Sequence, residues 1–414
     1  MASRAFQAAI AAAVFASCGA LTLVSSQTGA TDIDPTRPTT IVVGLSPGIA
    51  PMARVDGARR GRAHDPLPRR PRLLWRQSVR GGIVFVPLAV DARGAVLVAS
   101  ESLPELLQLS AAGQEQWRAS TGAGTSITGT VLLSDETRLI VTSVGDAIGF
   151  SPAGTMRFKT AIEAERSVRV SLLPLEDGGA AIAAGHEIDW MDGDGQLRER
   201  IRIDEKIFGP LVATRAGIVA VTQSGAVHVV RAGFSKRIGS LGGDPGEPGA
   251  STPDGRTLFA VVDHQRVVAL DLTTGVAQAR YSVNDLSLHG PVVFGRADAA
   301  VLTSWNGVLM SIPKAGGELR RTPLDSRIET LVTDGGKIDF AALEDSPAAV
   351  TDNDGFIAFA RIGGRFGVVS PDGAVSLAVG RTCHSPAALA PAGAHRMVVA
   401  CRDGAVLMFG EDSP

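Results

Sequence analysis

The chain has 414 residues, 45% of them hydrophobic and 20% charged, with a formal net charge of −2. That balance carries no electrostatic footprint for nucleic acid, and the apolar fraction suits a globular protein with a large buried core. Arg greatly outnumbers Lys, and Ala and Gly are abundant, which reads as coding bias rather than as a functional signal.

Residues 1–26 read as a targeting segment. Met1–Arg4 carries one positive charge, Ala5–Ala16 is apolar, and small residues follow. Phe15-Ala-Ser-Cys18 resembles a bacterial lipoprotein box, in which small residues directly precede a cysteine that is lipidated; Phe stands where Leu is usual. Three readings stay open: lipidation at Cys18, plain secretion with cleavage further on, and an uncleaved anchor running to Val24. No later segment approaches the roughly 20 apolar residues that span a bilayer.

Residues 27–70 are rich in Pro, Gly, Thr, Ala and Arg and lack sustained periodicity, so a disordered tether is expected there. A flexible chain of that length would span roughly 40 Å. Its clusters Arg59-Arg60-Gly61-Arg62 and Arg69-Arg70 read as solvated linker or as contacts for anionic headgroups.

From 71 to 414 a unit of about 40 residues recurs eight times. Each unit has three apolar runs separated by turns, then a Gly-containing turn and a more polar fourth run. The clearest copy has Thr257–Val262, Arg266–Asp271, the turn Thr274-Gly275 and Val276–Val283. The turn between first and second runs falls near Arg93-Gly94, Asp135-Glu136, Asp177-Gly178, Arg215-Ala216, Asp254-Gly255, Ala297-Asp298, Asp354-Gly355 and Ala392-Gly393. Short strands at this spacing, without helical periodicity, predict an all-β, eight-bladed propeller of four-stranded antiparallel blades, expected as a monomer. A surplus around Ser326–Phe340 reads as an extra hairpin or long loop.

The last unit stops after three runs, and an orphan run, Arg72–Ser78, precedes the first. Its Trp75 resembles Trp117 in the fourth run of blade one. The N-terminal strand is therefore expected to complete blade eight and close the ring, which removes an open edge; the alternative is a seven-bladed ring with a frayed end. Cys383 and Cys401 flank the first hairpin of blade eight almost symmetrically, so an exported chain is expected to cross-link them, the alternative being two buried thiols.

Arg266-Val-Val-Ala-Leu-Asp-Leu-Thr-Thr-Gly275 and His384-Ser-Pro-Ala-Ala-Leu-Ala-Pro-Ala-Gly393 resemble the pyrroloquinoline-quinone-type propeller repeat, as does the Trp-bearing run Leu109–Trp117. The resemblance is uneven: Phe158 keeps an aromatic at the Trp117 position, whereas Glu199, Ala279 and Arg321 do not. It implies the fold, and two branches of function. The quinoprotein dehydrogenase branch implies a bound quinone, calcium, adjacent cysteines and many blade Trp residues. This chain has no adjacent cysteines and four Trp, so pyrroloquinoline quinone is not expected. The lipoprotein branch typified by the BamB propeller implies a lipid anchor, a tether and no enzyme activity, matching the layout here.

Asp192-Gly-Asp-Gly195 and Asp352-Asn-Asp-Gly355 have the look of calcium loops, but Trp190 and Val350 break the ligand alternation, and tight turns account for both. No nucleophile elbow or phosphate-binding loop with Lys occurs. Aligning the starts of the first strands brings Phe85, Thr128, Val170, Phe208, Gly246, His289, Asp345 and His384 into one column. Of these, His289, Asp345 and His384 are expected at one mouth of the channel from consecutive blades, as a ligand or partner site or as water-binding strand caps. Phe85 and Phe208 share that rim, and Trp305, before Asn306-Gly307, is expected in a turn on the same face, either exposed to anchor a partner or packed on the neighbouring blade. The expectation is an exported, lipid-anchored scaffold in the bacterial envelope. It would bind another envelope protein, with no cofactor and no catalytic residues. The alternative is a quinone- or metal-dependent oxidoreductase acting at the mouth.

Overall fold

Thr257–Val262 and Arg266–Asp271 pair along their whole length, from Thr257 with Asp271 to Val262 with Arg266. Asp263 and His264 take positive φ in the turn between them, a conformation such short polar side chains tolerate. Both strands are buried almost throughout, whereas the fourth strand, Ala277–Ser282, is largely exposed. A blade wedged between two neighbours covers both faces of its inner strands. That is why the inner strands read as continuous apolar runs and only the outer one is polar.

The structure, a computed structural model, describes residues 48–411 except 81–83, 85–86, 163–169, 247–248, 283–287, 305–307, 314–317, 325–348, 362–364, 379–382 and 384. Among the described residues the strands form eight antiparallel sheets in blade order. The ring closes as expected: Arg72–Ser78 pairs with Ala405–Gly410, from Arg72 opposite Gly410 to Ser78 opposite Ala405. A seven-bladed ring with a frayed end is thereby excluded. In blade eight Cys383 and Cys401 form a disulfide. The segment Ser326–Phe340, expected as an insertion, lies outside the described residues.

Neighbouring blades are pinned at the turns before their fourth strands. Trp75 Nε1 donates to the Ala111 carbonyl and Trp117 Nε1 to the Pro152 carbonyl, each at 3.0 Å. Each indole lies over a glycine two residues further on: a Cβ on Gly113 would come within 2.7 Å of Trp75, and one on Gly154 within 2.6 Å of Trp117. Phe158 covers Gly195 likewise. In blade six the Arg320 guanidinium donates to the Pro371 carbonyl, so a cation takes over the aromatic's bond.

Residues 48–70, expected within a disordered tether, are instead packed inside the ring. Gly48–Ala50 adds a fifth strand to blade one, pairing with Ala89–Asp91. The chain then passes blades two and four to eight in order, and its carbonyls accept backbone N–H groups from the first strands of five of them and from the first turn of blade eight. Pro51 accepts from Leu132, Gly57 from Ala213, Ala58 from Ser251, Arg60 from Phe294, Gly61 from Thr351 and Pro66 from His395, at 2.7 to 3.0 Å. Met52 joins the apolar core of blades two to four. The first strands of a propeller present an unpaired edge to the channel, and this strap accepts from it in the blades it reaches. Ala50, Met52, Val55, Ala63 and Leu67 are buried, as are Arg54 and Arg59. Periodicity was blind to the strap because backbone carbonyls, rather than alternating side chains, hold it. Residues 27–47 lie outside the described residues.

Candidate functional site

The strap's bonds lie at the far ends of the first strands it reaches, beside the turns into the second strands. The opposite mouth lies where the first strands begin. Phe208 sits at that mouth: its N–H donates to the Val221 carbonyl at 2.7 Å and its ring is half-buried. His289 is placed by its backbone, which pairs with Thr303 in blade six; its side chain lies outside the described residues. Phe85, Trp305, Asp345 and His384 also lie outside them, as does Cys18. The structure thus neither gathers the expected mouth residues nor separates them.

The two Asp-Gly runs are turns whose carboxylates are spoken for. Asp192 Oδ1 accepts the N–H groups of Asp194 and Gln196 at 3.0 and 2.8 Å, and Oδ2 accepts from Arg198 at 3.0 Å. These bonds, led by the one from Gln196, hold the Asp192 carboxyl below its usual range. Asp352 Oδ1 accepts from the N–H groups of Asp354 and Phe356. Its Oδ2 turns to the strap, accepting from the Leu67 N–H at 3.0 Å and from Arg69 Nη1 at 2.9 Å. Arg69 also pairs with Asp354 at 2.6 Å and lies 3.4 Å over the Phe356 ring. A carboxylate fully engaged by N–H donors and a guanidinium fits an Asx-type turn rather than a metal loop.

A feature that sequence reading missed lies on the strap side of the ring, at the seam between blades eight and one. There a cleft of about 920 Å³ opens between the first turns of the two blades. Arg69, Arg70 and Arg72 reach it from the strap and closing strand, Arg93 from blade one, and Arg396 from blade eight. Glu411 contributes a carboxylate, which accepts the Arg70 N–H and lies 3.5 Å from His395 Nδ1. The small residues Ala92, Gly94, Ala111, Ala392, Gly393 and Ala394, with Ile49, complete the lining. The Arg69-Arg70 pair was visible in the sequence, but its meeting with Arg93 and Arg396 follows only from ring closure.

No protein-family profile matches the chain, and no curated protein sequence matches it. Solved structures do. BamB from Moraxella catarrhalis superposes with a TM-score of 0.58 at 15% identity, covering 83% of this chain and 98% of its own. The computationally designed Ika8 protein gives 0.63 at 13% identity, covering 81% and 98%. A catalytically inactive virginiamycin B lyase from Staphylococcus aureus, solved with quinupristin, gives 0.51 at 10% identity, covering 82% and 99%. At such identities the likeness establishes a propeller ring and nothing about activity.

Proposed function

We propose that this chain is an exported propeller of the pyrroloquinoline-quinone-type repeat family. It is anchored in the bacterial envelope through a lipid on Cys18 and serves as a binding scaffold for another envelope protein, with no catalytic role. The observation that carries this reading is the course of the strap. It enters at Gly48 on blade one and makes its contacts around one end of the channel. With the strap's contacts at that end, the opposite mouth is the face offered to a partner. The Cys383–Cys401 disulfide supports export, since such bonds persist in oxidising compartments. The likeness to BamB supports the scaffold role by analogy of fold.

On this reading Trp305, His289, Asp345 and His384 form the partner face. Trp305→Ala should weaken capture of the partner by about 2 kcal/mol or more while leaving the unfolding midpoint in place. Radiolabelled fatty acid should enter the parent chain and not Cys18→Ser. Absorption spectroscopy and metal analysis of the purified protein provide the opposing outcome. A stoichiometric quinone or metal, lost on substituting His289 or His384, would replace the scaffold by an oxidoreductase.

A further inference from the structure

We infer that the cleft between blades eight and one is an anion site that binds a phosphate group. The inference is independent of the scaffold reading, because it rests on the opposite side of the ring. The whole chain is nearly neutral at −2, yet among the described residues five arginines line this concavity against a single carboxylate. Arg69 is committed to Asp352 and Asp354 and serves as a wall. Glu411 is turned to the Arg70 backbone and to His395, so it fixes the chain. Arg93 reaches across to Glu136 at 3.4 Å, but its side chain is 73% exposed, and a contact of that kind is worth little. Arg70, Arg72 and Arg396 complete the walls.

The chemistry of the ligand follows from this inventory. A guanidinium presents a planar fork that matches paired oxyanion oxygens, and it stays charged at any accessible pH. A carboxylate has one charge and two oxygens and can engage one or two such forks. A phosphate monoester carries up to two charges on three oxygens, which suits arginines arriving from three chain segments. The small residues among the lining leave room for the group to reach them, and a cleft of about 920 Å³ holds the remainder of a headgroup or sugar.

A lipid headgroup and a soluble phosphate ester present the same oxygens, so the test has two arms. Both use the full chain carrying Cys18→Ser, so that no acyl chain contributes. In the first, inorganic phosphate and glycerol 3-phosphate are titrated by calorimetry and by their effect on the melting midpoint. Binding should raise the midpoint in proportion to ligand excess. Arg70→Gln, Arg93→Gln and Arg396→Gln together should weaken binding by about tenfold or more. The single variant Arg93→Gln, at a side chain 73% exposed, should show a smaller loss with the ligand-free midpoint unchanged. In the second arm, phosphatidylglycerol vesicles that bind the parent and not the triple variant identify the headgroup as the source. Phosphate binding without vesicle binding identifies a soluble ester. Equal phosphate binding by parent and triple variant would overturn the inference. So would no phosphate binding by the parent, or binding of poly-glutamate in preference to phosphate.

Discussion

Arg69 and Asp352, from opposite ends of the chain, meet at 2.9 Å with the carboxylate almost fully buried at 1% exposure. The same oxygen takes the Leu67 N–H, and the other oxygen holds the turn of blade seven. Strap and blade are therefore locked through one carboxylate. Removing the carboxylate leaves the Leu67, Asp354 and Phe356 N–H groups without their acceptor, while Arg69 keeps Asp354. Asp352→Ala should cost about 3 kcal/mol, read from the denaturant midpoint, and should increase cleavage of the strap by added protease. A loss below about 0.5 kcal/mol would mean the strap is held elsewhere.

The strap also depends on Gly61. Its φ is +63°, and a Cβ there would lie 2.5 Å from Val293 Cγ1 and 3.1 Å from the Ala349 carbonyl. A β-branched residue would meet both a strained backbone and hard neighbours. Gly61→Val should therefore destabilise by about 3 kcal/mol, combining left-handed strain and overpacking. Urea unfolding of the variant beside Gly61→Ala separates the two contributions, with alanine expected to lose less.

The disulfide spans a sequence separation of 18. Closing a loop of that length removes roughly 3 kcal/mol of chain entropy from the unfolded state. Cys383→Ser with Cys401→Ser should lower stability by about that amount. Reductant should lower the parent's melting midpoint and leave the double variant unchanged. Non-reducing peptide mapping that recovers both thiols free would contradict the bond.

Acid should weaken blade four through His228. Its ring lies in Ala226–Arg231, with Nδ1 3.4 Å from Ser235 Oγ. Burial holds its pKa below the usual value, Arg237 acts the same way, and Glu205 and Asp204 oppose. An unfolded histidine titrates near about 6.5. Below that, the unfolded chain takes up a proton that the folded one refuses. This contribution is intact above about pH 6.5 and is lost as pH falls toward the folded pKa. His228→Gln should flatten that part of the slope between about pH 7.5 and 5.5, and equal slopes in parent and variant would remove His228 from the account.

Much of the ring was legible before any coordinates. Trp75 announced the closing strand because it repeats the setting of Trp117, and both indoles do bond the next blade's turn. The pairing of Cys383 with Cys401 across one hairpin was visible for the same local reason. The strap was not legible. Gly57, Ala58 and Gly61 look like linker composition because what they contribute is a carbonyl and the absence of a bulky side chain. The cleft was half legible, as Arg69-Arg70 without its counterparts.

By itself the sequence determined the repeat units: their strand order and where each first turn falls. These are local properties, set by apolar runs that bury on both faces and by Gly, Asp and Asn where the backbone must reverse. Tertiary structure alone decided what fills the channel and what meets at the seam. Both depend on ring closure, which brings Arg70 beside Arg396 and Leu67 beside Asp352. Pairings between residues nearly a whole chain apart leave no periodic trace, because their partners are backbone groups and single charges rather than a repeated apolar pattern.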